Sequence, residues 1–86
     1  MKVIISDIAR KQLKKMDKGI AKKIIAYLSE IEKLENPRSR GKELASNLSG
    51  LWRYRVENYR IICTIEDDKV IITVVKIGHR KNIYKL

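Results

Sequence analysis

The chain has 86 residues and a formal net charge of +10, from 20 Lys and Arg against 10 Asp and Glu. That length predicts a single domain, residues 1–86, able to bury only about 60–65% of its unfolded surface. Apolar residues make up 44%, too many for a disordered basic tail, and the single Cys excludes both an intrachain disulfide framework and a cysteine-rich zinc site.

Lys2 to Ile5 is a short β-prone run. Ser6 follows as a helix cap, with Asp7 favourable at the positive helix end. Ile8, Ala9, Leu13 and Met16 fit one face of a first helix that runs to about Asp17, where Gly19 breaks the pattern. A second, longer helix carries Ile20, Ile24, Ile25, Leu28, Ile31 and Leu34 at three- and four-residue spacing. Asn36-Pro37 stops it, because the residue before Pro avoids the helical region. Residues 38–50 show little periodicity and read as a basic connector. Three strands follow, at about Leu51–Val56, Tyr59–Ile65 and Val70–Ile77, with the short turns Glu57-Asn58 and Asp67-Asp68 forcing antiparallel neighbours. The order β-α-α-β-β-β predicts an α+β fold, with an N-terminal helical hairpin packed on one face of a mainly antiparallel sheet. No apolar run approaches the ~20 residues that cross a bilayer, and the first residues lack a signal-peptide stretch. A cytoplasmic chain with no membrane partner is expected.

Alternation along the strands sorts the side chains. With Glu57-Asn58 as a two-residue loop, Val56 faces Tyr59 and Arg55 faces Arg60. With Asp67-Asp68 as another, Glu66 faces Lys69 and Arg60 faces Val75. One sheet face then collects Trp52, Tyr54, Val56, Tyr59, Ile61, Cys63, Ile65, Val70, Ile72 and Val74, and packs on the helices. The other collects Arg53, Arg55, Arg60, Ile62, Thr64, Ile71, Thr73 and Val75. Two readings of the three arginines are open. Glu57, Glu66 or Glu43 neutralises them, or they form an anion clamp.

The charge is unevenly typed. Seven of the eight basic residues in 7–35 are Lys, whereas six of the eleven in 36–86 are Arg, the planar partner of phosphate. Lys on a helix reads as a solvated face. Arg38, Arg40, Arg53, Arg55, Arg60 and Arg80 lie among Trp52, Tyr54, Tyr59 and Tyr84, a mixture suited to RNA or single strands.

The segment G-H-R-x-x-I-Y at 78–84, W-R-Y-R-V at 52–56, Y-R-I-I at 59–62 and Asp68-Lys69-Val70 resemble the RelE/ParE superfamily of toxins. The helical hairpin, N-P-R at 36–38 and K-E-L at 42–44 fit too, so the resemblance spans essentially the whole chain. It implies a RelE-like toxin of a type II toxin–antitoxin system, a ribosome-dependent mRNA endoribonuclease that inhibits translation. The cut is an attack of the ribose 2′-OH on the scissile phosphate, and it implies no metal and no cofactor. The implied partners are an acidic antitoxin, in a hetero-oligomer, and the ribosome with its mRNA. Carried over by position, Arg55 and Arg60 hold the phosphate, Arg80 stabilises or protonates the leaving oxygen, and Tyr84 stacks on or orients a base. Arg53, Arg38, Arg40 and Lys81 bind RNA. The chain departs from the family where Arg53 and Arg55 stand at positions that are often Lys. Arginine is a poor general base, which leaves His79, the only histidine, as a candidate acid or base. A ParE-like poison of DNA gyrase and a non-catalytic RNA- or ribosome-binding module are the alternatives.

Overall fold

The computed structural model describes residues 1–45 and 50–79. Five strands and two helices are seen: β1 (Lys2–Ile5), α1 (Asp7–Lys15), α2 (Lys18–Lys33), β2 (Lys42–Glu43), β3 (Trp52–Val56), β4 (Tyr59–Glu66) and β5 (Ile71–His79). A single 3₁₀ turn spans Pro37–Ser39. The strands form one sheet in the order β1-β5-β4-β3-β2. β1 runs parallel to β5, and the other neighbours are antiparallel. The expected α+β arrangement of a helical pair on one sheet face is therefore present, with two additions. The connector contributes the short edge strand β2, and β1 closes the opposite edge.

Local chemistry sets the helix boundaries. The Ser6 hydroxyl accepts from Ala9 N (3.1 Å), which caps α1. The break between helices lies at Met16-Asp17, earlier than Gly19, because Asp17 caps α2 by accepting from Ile20 N (3.1 Å). Gly19 falls inside the first turn of α2, where a Cβ would stand 3.0 Å from the capping carboxylate. Ile24, Leu28 and Ile31 of α2 are buried, as their spacing predicts. Ile8 is not on the inner face of α1 and is 62% exposed. It lies about 100° around the helix from buried Ala9, and Leu13 and Met16 carry the contact instead.

The core is aliphatic around one aromatic: Ala9, Ile24, Leu28, Ile31, Tyr54, Ile61, Cys63, Ile72, Val74 and Ile77. Each fully buried Ile contributes about 1.5–3 kcal/mol. The Tyr54 hydroxyl donates to the Pro37 carbonyl (2.7 Å), and the Trp52 indole donates to the Arg40 carbonyl (2.9 Å). These two bonds clamp the connector onto β3. β1 is joined to α2 as well, since Val3 N donates to the Glu32 carboxylate (2.8 Å).

The β3–β4 hairpin has the predicted register, with Val56 opposite Tyr59 and Arg55 opposite Arg60. The β4–β5 hairpin does not. Its loop is Asp67 to Val70, and Glu66 lies opposite Ile71 rather than Lys69. Val70 closes this turn at φ 57° and is exposed, so it is not a core residue. A register shift at Ile62/Cys63 then places Arg60 opposite Gly78 rather than Val75.

Candidate nucleic-acid interface

The sheet face turned away from the helices holds the arginines. Arg53, Arg55 and Arg60 share that face, since their neighbours Tyr54 and Ile61 are fully buried on the other. Arg55 is exposed, while Arg53 and Arg60 are half-buried. Directly opposite side chains on paired strands have Cβ atoms about 4.5–5.5 Å apart, so Arg55 and Arg60 form a close cationic pair. The Nε atoms of Arg53 and Arg60 are buried with no hydrogen-bond partner among the described residues.

The acidic groups that could have neutralised this face are committed elsewhere. Glu57, at φ 54° in the hairpin turn, pairs with Lys23 of α2 at 2.7 Å. Its hydrogen bond to Lys23, and then the ammonium charge, hold its carboxyl below the usual range. Glu66 pairs with Lys69 at 3.2 Å. Glu43 lies opposite Trp52, and so on the other face from Arg53. Of the two open readings, neutralisation by these three carboxylates is not what the geometry contains.

Arg38 and Arg40 are not brought to the same place. Arg38 grips Asp67 with both terminal nitrogens (2.8 and 3.0 Å) and lies 6.0 Å from the Trp52 ring centre, on the helix side of the sheet. Arg40 pairs with Glu30 at 3.0 Å and stands 5.7 Å from the Tyr27 ring centre. Both fasten the connector. The Arg38 guanidinium holds the Asp67 carboxyl below the usual carboxylate range through their hydrogen bonds.

His79 is also separated from the arginines. It lies opposite Tyr59, with ring centres 5.8 Å apart and edge-on, on the face that Tyr59 shares with Ile61. Alternation counted from Ile72 and Val74 would have turned His79 outward. The extra residue in β5 at the register shift reverses the parity beyond it. The same shift brings Lys76 opposite Ile62, onto the arginine face, and β2 sets Lys42 opposite Arg53. Strand alternation alone found neither lysine. A bulge leaves no mark in a hydrophobic pattern, and two polar residues are too few to read as a strand. Arg80, Lys81 and Tyr84 lie outside the described residues.

Residues 3–84 match the family model for the ParE toxin of the parDE type II toxin–antitoxin system. No curated protein matches the chain. Among solved structures, the chain is similar to the RelBE2 toxin–antitoxin complex of Mycobacterium tuberculosis. The identity is 24% over 92% of this chain and 90% of that one, with a TM-score of 0.81. It is similar to the archaeal RelE–RelB complex of Pyrococcus horikoshii, at 23% over 92% of this chain and 93% of that one, TM-score 0.72. It is also similar to the isolated RelE toxin of E. coli, at 16% over 91% of this chain and 82% of that one, TM-score 0.72. Those likenesses establish the fold, two helices on a mixed five-stranded sheet.

Proposed function

The chain belongs to the ParE toxin family of type II toxin–antitoxin systems, and on that premise we propose that it is a ribosome-dependent mRNA endoribonuclease. The observation that supports this best is Arg55 held directly opposite Arg60, with Arg53 on the same face. Like charges so placed repel by roughly 0.2–1 kcal/mol. A phosphate removes that repulsion and gains charge-assisted hydrogen bonds in its place. In the proposed reaction the ribose 2′-hydroxyl gives up its proton to solvent as its oxygen attacks the adjacent phosphorus, and the bond to the 5′-oxygen breaks as that oxygen takes up a proton. The products are a 2′,3′-cyclic phosphate and a 5′-hydroxyl. Arg55 and Arg60 stabilise the charge that builds on the phosphoryl oxygens, and Arg53 holds the neighbouring backbone.

By the family resemblance Arg80 serves the leaving oxygen, Tyr84 a base and Lys81 the backbone. Arg38 and Arg40 shape the connector in this reading, and His79 transfers no proton. The relatives solved as toxin–antitoxin complexes support an antitoxin that is acidic and folds over the basic face in a hetero-oligomer. Action on ribosomes places the protein in the cytoplasm.

The experiment is to express the chain and map mRNA 5′ ends on translating ribosomes. Cleavage in the wild type, lost by at least ~100-fold in Arg60→Ala, is the expected result. His79→Gln is expected to fall far short of the ~10²–10⁴-fold loss that removal of a general base causes. The matching family model is that of a ParE toxin, which favours a second reading as a gyrase poison. Growth arrest with intact mRNA and altered DNA supercoiling would establish that reading and reject the nuclease. RNA binding without cleavage in either assay would leave a non-catalytic module.

A further inference from the structure

Val74 and Ile77 are both buried in the core, yet two residues separate them where strict alternation allows one or three. Val75 and Lys76 together oppose Ile62 across the register shift. Val75 is exposed and Lys76 half-buried. A bulge of this kind re-aims a side chain, and here it turns Lys76 from the helix side to the arginine side.

Two rows result on that face. The first runs Arg55, Arg60, Gly78 across β3, β4 and β5. The second runs Lys42, Arg53, Ile62, Lys76 across β2 to β5. Rows two residues apart along a strand are separated by ~6.8 Å. In the first row Gly78 carries no side chain beside half-buried Arg60. In the second, buried Ile62 lies between Arg53 and Lys76. The carboxylates of Glu57, Glu66 and Asp67 pair with Lys23, Lys69 and Arg38.

We propose that the two rows hold two successive phosphates of one RNA strand, one between Arg55 and Arg60 over Gly78 and its neighbour on Arg53 and Lys76. Lys76 is then a positioning residue that fixes which internucleotide bond reaches the arginine pair. The inference rests on the reading of this face as RNA-binding, and not on its chemistry.

The test uses the whole chain and a short fluorescent oligouridylate, with affinity measured by anisotropy over a salt series. Each single-strand phosphate contact contributes about 0.7 to the slope of log affinity against log salt. Lys76→Ala is expected to reduce the slope by about that amount, and Lys76→Arg to restore it. Lys11→Ala, on the exposed side of α1, is expected to leave it unchanged. An unchanged slope in Lys76→Ala, an equal fall in Lys11→Ala, no recovery in Lys76→Arg, or no salt-dependent affinity in the wild type each overturns the proposal. A wild type that binds with these slopes but leaves mRNA intact on ribosomes rejects the nuclease and supports the two-phosphate site.

Discussion

Val70 adopts φ 57°, a left-handed value that costs an L-residue roughly 1–2 kcal/mol. Two hydrogen bonds claim its backbone: its N–H donates to the Asp67 carbonyl (3.2 Å), and its carbonyl accepts from Lys2 N (3.1 Å). The turn and the β1 pairing therefore hold the strain in place. The side chain is 55% exposed, so little packing is lost on removing it. Val70→Gly is expected to stabilise the fold by about 0.5–1 kcal/mol, after the greater unfolded-state freedom of glycine is set against the relieved strain. A higher urea midpoint at an unchanged m-value is the measurement. Cys63 offers a second check at this scale. It is fully buried, and burial pushes its thiol up to about 12. Alkylation at neutral pH should therefore follow global opening of the chain, and a native-state rate equal to that of a free thiol would contradict this burial.

Among the elements, the β3–β4 hairpin was the most legible. A two-residue loop and unbroken alternation fix its register, so the sequence pattern alone sets Arg55 opposite Arg60. The long second helix was equally plain, because Ile24, Leu28 and Ile31 repeat at the helical period. The β4–β5 hairpin was not. Asp67-Asp68 looks like a tight turn, but the chain uses four residues and then inserts a bulge. The faces of Lys76 and His79 follow from that insertion alone, so the part of the site on β5 was hidden. β2 was hidden for another reason: Lys42-Glu43 has no apolar signal, and its position is dictated by Gly41 before it. Gly41 sits at φ 81°, and a Cβ there would run into the Arg53 carbonyl oxygen. Gly41→Ala is expected to destabilise the fold by about 2 kcal/mol or more. Thermal melting checks the loss. Survival of the wild-type melting temperature would mean that β2 does not pack against β3 as described.

For the molecule as a whole, the charge of +10 divides into a lysine-rich helical side and an arginine-rich sheet face. Two acids tie elements together: Glu57 to α2 through Lys23, and Asp67 to the connector through Arg38. Both carboxyls are held below their ordinary values by those partners. A depressed folded value contributes stability that is present above the unfolded value and lost as pH falls through the folded one. Both pairs are exposed, so the effect is modest and weakens with salt. The double variant Glu57→Gln, Asp67→Asn is expected to melt below the wild type at neutral pH. The gap should close as pH falls below about 4, and a gap that persists there would show that the loss is not ionic. No helix among the described residues is long and apolar enough to cross a membrane.

The parallel pairing of β1 with β5 has a consequence for how the protein is born. Lys2 finds its strand partner only at Ile71, so β1 must wait for β5 to be synthesised. At about 5–20 residues per second, that wait is roughly 3–14 s, during which Val3 and Ile5 lack their paired strand. Long-range closure of this kind also slows folding once the chain is free. The five-stranded sheet, and with it the arginine face, is therefore complete only after β5 has emerged.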